Sequence, residues 1–449
     1  MCGINAVLNG SLKDIQLMID NSSKRGIFQG VTKTANSFVN FSWLPITDST
    51  AKMQPFTSNN YMVWMNGFIS NYNELAEKYN IKLNSKCDTE LLAKFLDKFK
   101  GKKLNELNGF FAVLYFNGTD WTTFTDKFGI KKLYEYKKGN KVFIASEIKS
   151  ILAACPEIEI DQDKLDQFKY DLGVMNVNSI YKGITRTRKL SLVIPKKINI
   201  TYNEAKVQLK KLFIQSCDRN KTELNDCVFL SGGIDSGIIA KFMNPEYSFS
   251  MDYVDPLYSE IENIKLNSTG KHYSLICNKE LFNEYSNKLF QCIQDPKVGS
   301  SYTNFALTEF ASKFCTVIYS GAGGDEFFGG YPHRINKPIN EVIKRTSSDG
   351  PQYDISHFDY DLKFLNGVLN IEDAIAGFHT METRYPLLDN DLVDFALSLP
   401  DEYLKNKRIL KDISGLHPNV INGMKKGFSN PYMNNDQWVE FITNKIQKK

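Results

Sequence analysis

Two textures of apolar and polar positions meet near residue 155. Before it, short aromatic and β-branched runs at 110–116, 121–124 and 141–145 are divided by Asn-Gly and Lys-Gly-Asn turns, and each predicts a strand. Helices are predicted near 11–24, 71–79 and 88–100, the last opening on Asp88, a good N-cap. Strands in succession with segregated helices predict layered sheets.

Beyond about residue 200 the two element types alternate. A helix over 203–219 leads to a strand at 227–230, a Gly-Gly turn and another helix. An apolar run at 247–251, a helix near 257–268, a strand at 272–276 and a helix near 279–292 follow. A helix at 303–314 then precedes a strand at 316–319. Such alternation predicts a parallel, doubly wound sheet. The expected class is thus α/β with α+β: one domain over 1–155, a connecting segment over 156–200 and a second domain over 201–449.

Composition narrows the partners. The 449 residues are 42% hydrophobic and 24% charged, as in a globular protein with full cores. The net charge is +4 and the basic residues are scattered. Lys100-Gly101-Lys102-Lys103 and Lys448-Lys449 read as solvated surface, so no nucleic-acid partner is expected. No apolar stretch approaches the ~20 residues that span a bilayer. A secretory pattern is absent from the N-terminus, and a cytoplasmic location is expected. The eight cysteines form no C-x-x-C pair and read as small buried hydrophobes, Cys2 excepted.

Ser231-Gly232-Gly233-Ile234-Asp235-Ser236 lies between the strand at 227–230 and a helix start. Unpaired N–H groups at a helix N-terminus suit an anion, and glycines permit close backbone approach. An acid beside a phosphate is tolerable chiefly when Mg2+ bridges them. No Gly-x-x-x-x-Gly-Lys-Ser/Thr loop occurs, so this is a different phosphate cradle. An ordinary turn would explain the glycines, but not both serines and the acid in register. The run resembles the pyrophosphate-binding loop of ATP pyrophosphatases.

The chain opens Met1-Cys2-Gly3, and initiator methionine is commonly removed before a small residue. Cys2 would then carry thiol and α-amine together, and an amine of pKa roughly 7.7–8.0 can serve as its general base. A strand over 61–65 ends in Asn66-Gly67, where an amide and a backbone N–H could form an oxyanion hole. Asp88 could bind an ammonium group. Taken together, the first 155 residues resemble a class II glutamine amidotransferase domain. Joined to the pyrophosphatase loop, they resemble the glutamine-hydrolysing asparagine synthetases through nearly the whole chain.

That resemblance implies an N-terminal αββα sandwich of the N-terminal-nucleophile type ahead of an ATP-pyrophosphatase domain. It implies that Cys2 attacks glutamine, that Asn66 and Gly67 hold the oxyanion, and that Asp88 binds the glutamine amino group. Phe229, Ser231, Gly232, Gly233, Asp235 and Ser236 would bind ATP and pyrophosphate. Tyr319-Ser320-Gly321-Ala322-Gly323-Gly324-Asp325 looks like the family's second ATP loop, with Ser320 and Gly321 at the nucleotide and Asp325 sharing Mg2+ with Asp235. Lys407 would contact the leaving pyrophosphate, while Arg384 and Asp389 are expected to form structural ion pairs. The implied partners are glutamine, aspartate and ATP, and the candidate assembly is a homodimer.

Three positions depart from the family pattern. Trp43 replaces the Arg that clamps the glutamine carboxylate, with Lys24 and Arg25 as candidate substitutes. Phe68 replaces a Glu, and Ala322 replaces a Glu associated with handling ammonia. The resemblance implies asparagine synthesis through an aspartyl-adenylate. The alternatives are a ligase acting on another carboxylate, peptide-modifying or cyclising, and a non-catalytic regulatory relative.

Overall fold

The computed structural model describes residues 1–22, 25–48, 50–171, 178–293, 301–331, 342–345, 353–423 and 432–447. The chain divides into two compact units. The first comprises Met1–Leu165, Asn176–Leu192 and Ala376–Thr380; the second comprises Asp166–Met175, Val193–Ile375 and Met381–Lys449.

The first unit holds strands β1 (Gly3–Leu8), β2 (Phe28–Thr34), β3 (Ser37–Trp43), β4 (Phe56–Ser58), β5 (Tyr61–Ile69), β6 (Gly109–Phe116), β7 (Trp121–Thr125), β8 (Tyr134–Lys138), β9 (Lys141–Ala145) and β10 (Thr185–Arg186). They form two antiparallel sheets, ordered β10-β8-β9-β1-β3-β2 and β4-β5-β6-β7. Strand alternation explains why β6 reads as an unbroken apolar run. Phe111, Val113 and Tyr115 pack with Leu91, Phe95 and Leu96 of the helix Asp88–Phe99. Ala112 and Leu114 face the other way, into a core with Ile4, Ala6, Phe41 and Ile144 from the six-stranded sheet. Both faces are therefore buried. Helices Leu12–Asp20 and Ile148–Ala154 pack on each other, and the first also contacts β1 and β3. The expected αββα sandwich is present.

The second unit carries β11 (Asp226–Phe229), β12 (Tyr247–Tyr253), β13 (Lys271–Cys277), β14 (Val317–Tyr319), β15 (Val342–Arg345), β16 (Tyr353–Ser356) and β17 (Glu382–Arg384). Strands β15 and β16 form an antiparallel pair outside the main sheet. The other five are parallel, in the order β13-β12-β11-β14-β17, as the strand-helix alternation predicts. From β11 the chain builds outward to β12 and β13, then returns to place β14 on the other side. The order reverses between β11 and β14, and in such sheets the crevice beyond the carboxyl ends of the strands at that switch point receives the ligand. No helix among the described residues is long and apolar enough to cross a membrane.

Candidate functional site

In the first unit, Cys2 immediately precedes β1 and is buried. Its sulfur accepts the Leu44 N–H at 3.4 Å, and its thiol lies 3.7 Å from the Leu44 carbonyl. Asn66 sits two residues after Trp64 on β5, so it shares the inter-sheet face that Trp64 and Cys2 occupy. The Asn66 side chain is fully buried, and neither its oxygen nor its nitrogen has a hydrogen-bond partner among the described residues. An unpaired buried amide costs about 1–3 kcal/mol, so such a group invites a ligand. Gly67 has φ of 134°, a region favouring glycine, and an added Cβ would run into the Phe110 carbonyl of the paired strand.

Asp88 is buried at the start of its helix, accepting N–H bonds from Ile69 at 2.8 Å and Thr89 at 3.0 Å. One bond ties it to the end of the strand that carries Asn66 and Gly67. Gln54, not singled out from the sequence, makes a second tie. It accepts the Met65 N–H at 2.6 Å and donates to the Met65 carbonyl at 3.1 Å and the Thr89 hydroxyl at 3.0 Å. Nothing in the local sequence marks it.

Of the candidate substitutes for the glutamine clamp, Lys24 lies outside the described residues. Arg25 is buried in an ion pair with Glu147 at 2.8 Å and donates to the Cys2 carbonyl at 3.4 Å. It braces the N-terminal strand. Trp43 packs its ring on Phe28 with centroids 5.7 Å apart, and Phe68 lies against Tyr72 and Phe110.

In the second unit, Phe229 ends β11 and the next turn enters the helix Ile234–Met243. Ser236 Oγ accepts the Ser231 N–H at 3.0 Å and lies 2.9 Å from Ser231 Oγ, which accepts the Gly233 N–H at 3.2 Å. The two serines thereby fold the loop onto the helix start. Gly232 N–H donates to the Glu260 carboxylate at 3.3 Å, so the loop already meets an anion there. Glu260 had no signal in the sequence.

Lys407 joins the two loops. Its ammonium lies 2.5 Å from Asp235 and 2.6 Å from Asp325, and the side chain is buried. Asn406 and Lys407 both adopt positive φ, 52° and 58°, and their N–H groups donate to Gly329 and Phe328 carbonyls at 3.0 Å each. This turn aims the lysine inward instead of leaving it on a helix surface. Burial pulls the ammonium down, but Asp235 and Asp325 outweigh it and hold it at about 12. The glycines of the second loop serve this junction: a Cβ at Gly324 would overlap the Asp235 carboxylate, and one at Gly330 would overlap Asp325 and the Lys407 stem. Glu326, also buried, is pushed up to about 7, by burial first and then by the Asp325 charge, while the Tyr331 hydroxyl donates to it at 2.6 Å. Ser320 Oγ accepts the Ala322 N–H at 3.3 Å and approaches the Glu372 carboxylate at 3.5 Å.

No group of three or more His, Cys, Asp or Glu side chains arranged for a metal occurs among the described residues. Asp235 and Asp325 nevertheless converge on one cation, and two hard carboxylates completed by phosphate oxygens suit Mg2+. Arg384 pairs with Glu382 at 3.0 Å and Asp389 with Arg219 at 2.9 Å, the structural role expected of both. His272 lies among the Ser248 and Ser250 hydroxyls of the neighbouring strand β12 and the Ser274 hydroxyl of its own strand β13. The terminal Lys448-Lys449 lies outside the described residues.

Residues 1–205 match a family model described as glutamine amidotransferase domain, and residues 208–347 and 340–446 match one described as asparagine synthase. Asparagine synthetase (glutamine-hydrolyzing) 1 of Bacillus subtilis is 30% identical over 65% of this chain and 51% of its own length. Asparagine synthetase (glutamine-hydrolyzing) 3 of the same organism is 23% identical over 95% of this chain and 86% of its own. Among solved structures, glutamine phosphoribosylpyrophosphate amidotransferase from B. subtilis aligns over 96% of this chain and 100% of its own, at 12% identity and a TM-score of 0.31.

Proposed function

The chain belongs to the asparagine synthase family, its two domains support ATP- and glutamine-dependent amidation, and we propose that the acceptor is aspartate and the product asparagine. In this reading the Cys2 α-amine, freed by loss of Met1, takes the thiol proton. The sulfur attacks the glutamine amide carbon, and ammonia leaves as a thioester forms. The Asn66 carboxamide and Gly67 N–H receive the oxyanion, and Asp88 takes the substrate ammonium. Water then releases glutamate.

At the second site ATP is a substrate. The aspartate side-chain carboxylate attacks its α-phosphorus and displaces pyrophosphate, giving an acyl-adenylate. The Ser231–Ser236 turn, with Phe229, Ser320 and Gly321 beside it, holds nucleotide and phosphates, and Lys407 meets charge building on the leaving group. Asp235 and Asp325 would hold Mg2+, which neutralises phosphate charge when bound. Ammonia then displaces AMP from the adenylate. The proposed setting is a cytoplasmic homodimer.

One observation carries this reading: a buried lysine bridges two carboxylates from the loops that follow β11 and β14, at the switch point of a parallel sheet. Purified protein given glutamine, aspartate and MgATP should yield asparagine, AMP and pyrophosphate. Formation of ADP and phosphate would refute adenylation. Ala322 and Trp43 favour a second reading, the same chemistry on another carboxylate, and pyrophosphate release screened across carboxylates separates the two.

A further inference from the structure

Amide formation at the adenylate needs a base. Ammonia adds to the acyl carbon, the C–O bond to AMP breaks with its electron pair leaving on phosphate, and nitrogen must shed one proton. The carboxylates around the second loop are differently engaged. Asp235 and Asp325 face the Lys407 ammonium, and Glu326 accepts the Tyr331 hydroxyl. Glu372 comes from elsewhere, on the helix His357–Phe378, and is half-buried. Its Oε1 lies 3.5 Å from Ser320 Oγ, and that hydroxyl also takes the Ala322 N–H at 3.3 Å. One hydroxyl therefore separates the Glu372 carboxylate from the backbone of a loop position whose methyl side chain can move no proton. Burial, and then the charges of Glu372 and Asp373, keep the nearby Tyr385 phenol protonated, so it does not compete as a base.

We propose that Glu372 is the base of the amide-forming step, taking the proton from nitrogen as AMP departs and later releasing it to water. This rests on the adenylation reading above and assigns the second half-reaction to a helix carboxylate rather than to the loop.

Two measurements on the full chain separate the halves: ATP–pyrophosphate exchange with aspartate reports adenylation, and asparagine formed from ammonium chloride reports the complete reaction. Glu372→Gln should keep exchange within about twofold of wild type and lose amide formation by about 10²-fold or more. Adding Ala322→Glu to that variant should restore at least about tenfold, which a merely structural role would not allow. Wild-type amide formation by Glu372→Gln, or loss of exchange in parallel with amide, overturns the assignment. Absence of exchange in the wild-type protein instead overturns the adenylation reading, and this inference with it.

Discussion

The two sites hold their polar groups in opposite ways. In the first unit the Asn66 carboxamide is buried without a partner among the described residues, and the frame around it, Gln54 and Asp88, is fully bonded. In the second, Lys407 closes onto both acids that the loops present. The difference follows from charge. A neutral amide can wait unpaired for about 1–3 kcal/mol. A buried carboxylate without a counter-ion costs several kcal/mol, and two would also repel. On the proposed reading, an oxyanion hole can thus be built open, whereas a di-acid phosphate site is built closed on an internal cation that a metal and substrate would displace.

The contrast can be broken most severely at the acting groups. Cys2→Ala should eliminate asparagine formation from glutamine while leaving synthesis from ammonium chloride at its wild-type rate; persistence of glutamine use would reassign the nucleophile. Asp235→Ala should remove both routes, measured as pyrophosphate released with either nitrogen donor. Asn66→Ala should lower the glutaminase kcat by about 10²–10³. Because it deletes an unpaired amide, its melting temperature should stay level or rise, and a large fall would show that the amide is paired.

Lys407→Met tests the closed site through stability. With a chelator present, leaving two acids unbridged should cost about 3–5 kcal/mol, read by denaturant unfolding. Mg2+ should restore part of this, shifting the variant more than the wild-type protein; equal shifts would mean that Asp235 and Asp325 do not share a metal. The smallest effects calibrate the two units. Ser11 and Thr201 each form a capping box, at helices Leu12–Asp20 and Tyr202–Asn220. Alanine at either should cost about 1 kcal/mol, each in its own unit's unfolding transition.

Much of this was legible along the chain because it is local. The apolar run at 110–116, the strand-turn-helix around Ser231–Ser236 and the Gly-rich turn before Asp325 each depend on residues within one or two elements, where periodicity and turn chemistry act. The strand-helix alternation likewise predicted a parallel sheet. Lys407 was singled out only by the family resemblance, since spacing alone does not separate it from a surface lysine, and its burial depends on a left-handed turn held by Phe328 and Gly329, nearly 80 residues earlier in the chain.

Sequence by itself thus determined the main element types and both fold classes, and it nominated the candidate reactive groups, since these follow from near neighbours and local motifs. Tertiary structure alone decided that the Asn66 amide has no partner among the described residues, that Gln54 ties its strand to the Asp88 helix, and that Glu372 reaches the loop of Ala322. Each of these is a distance between elements far apart in the chain. Such distances are set by the packing of sheets and helices as a whole, and no window of residues encodes them.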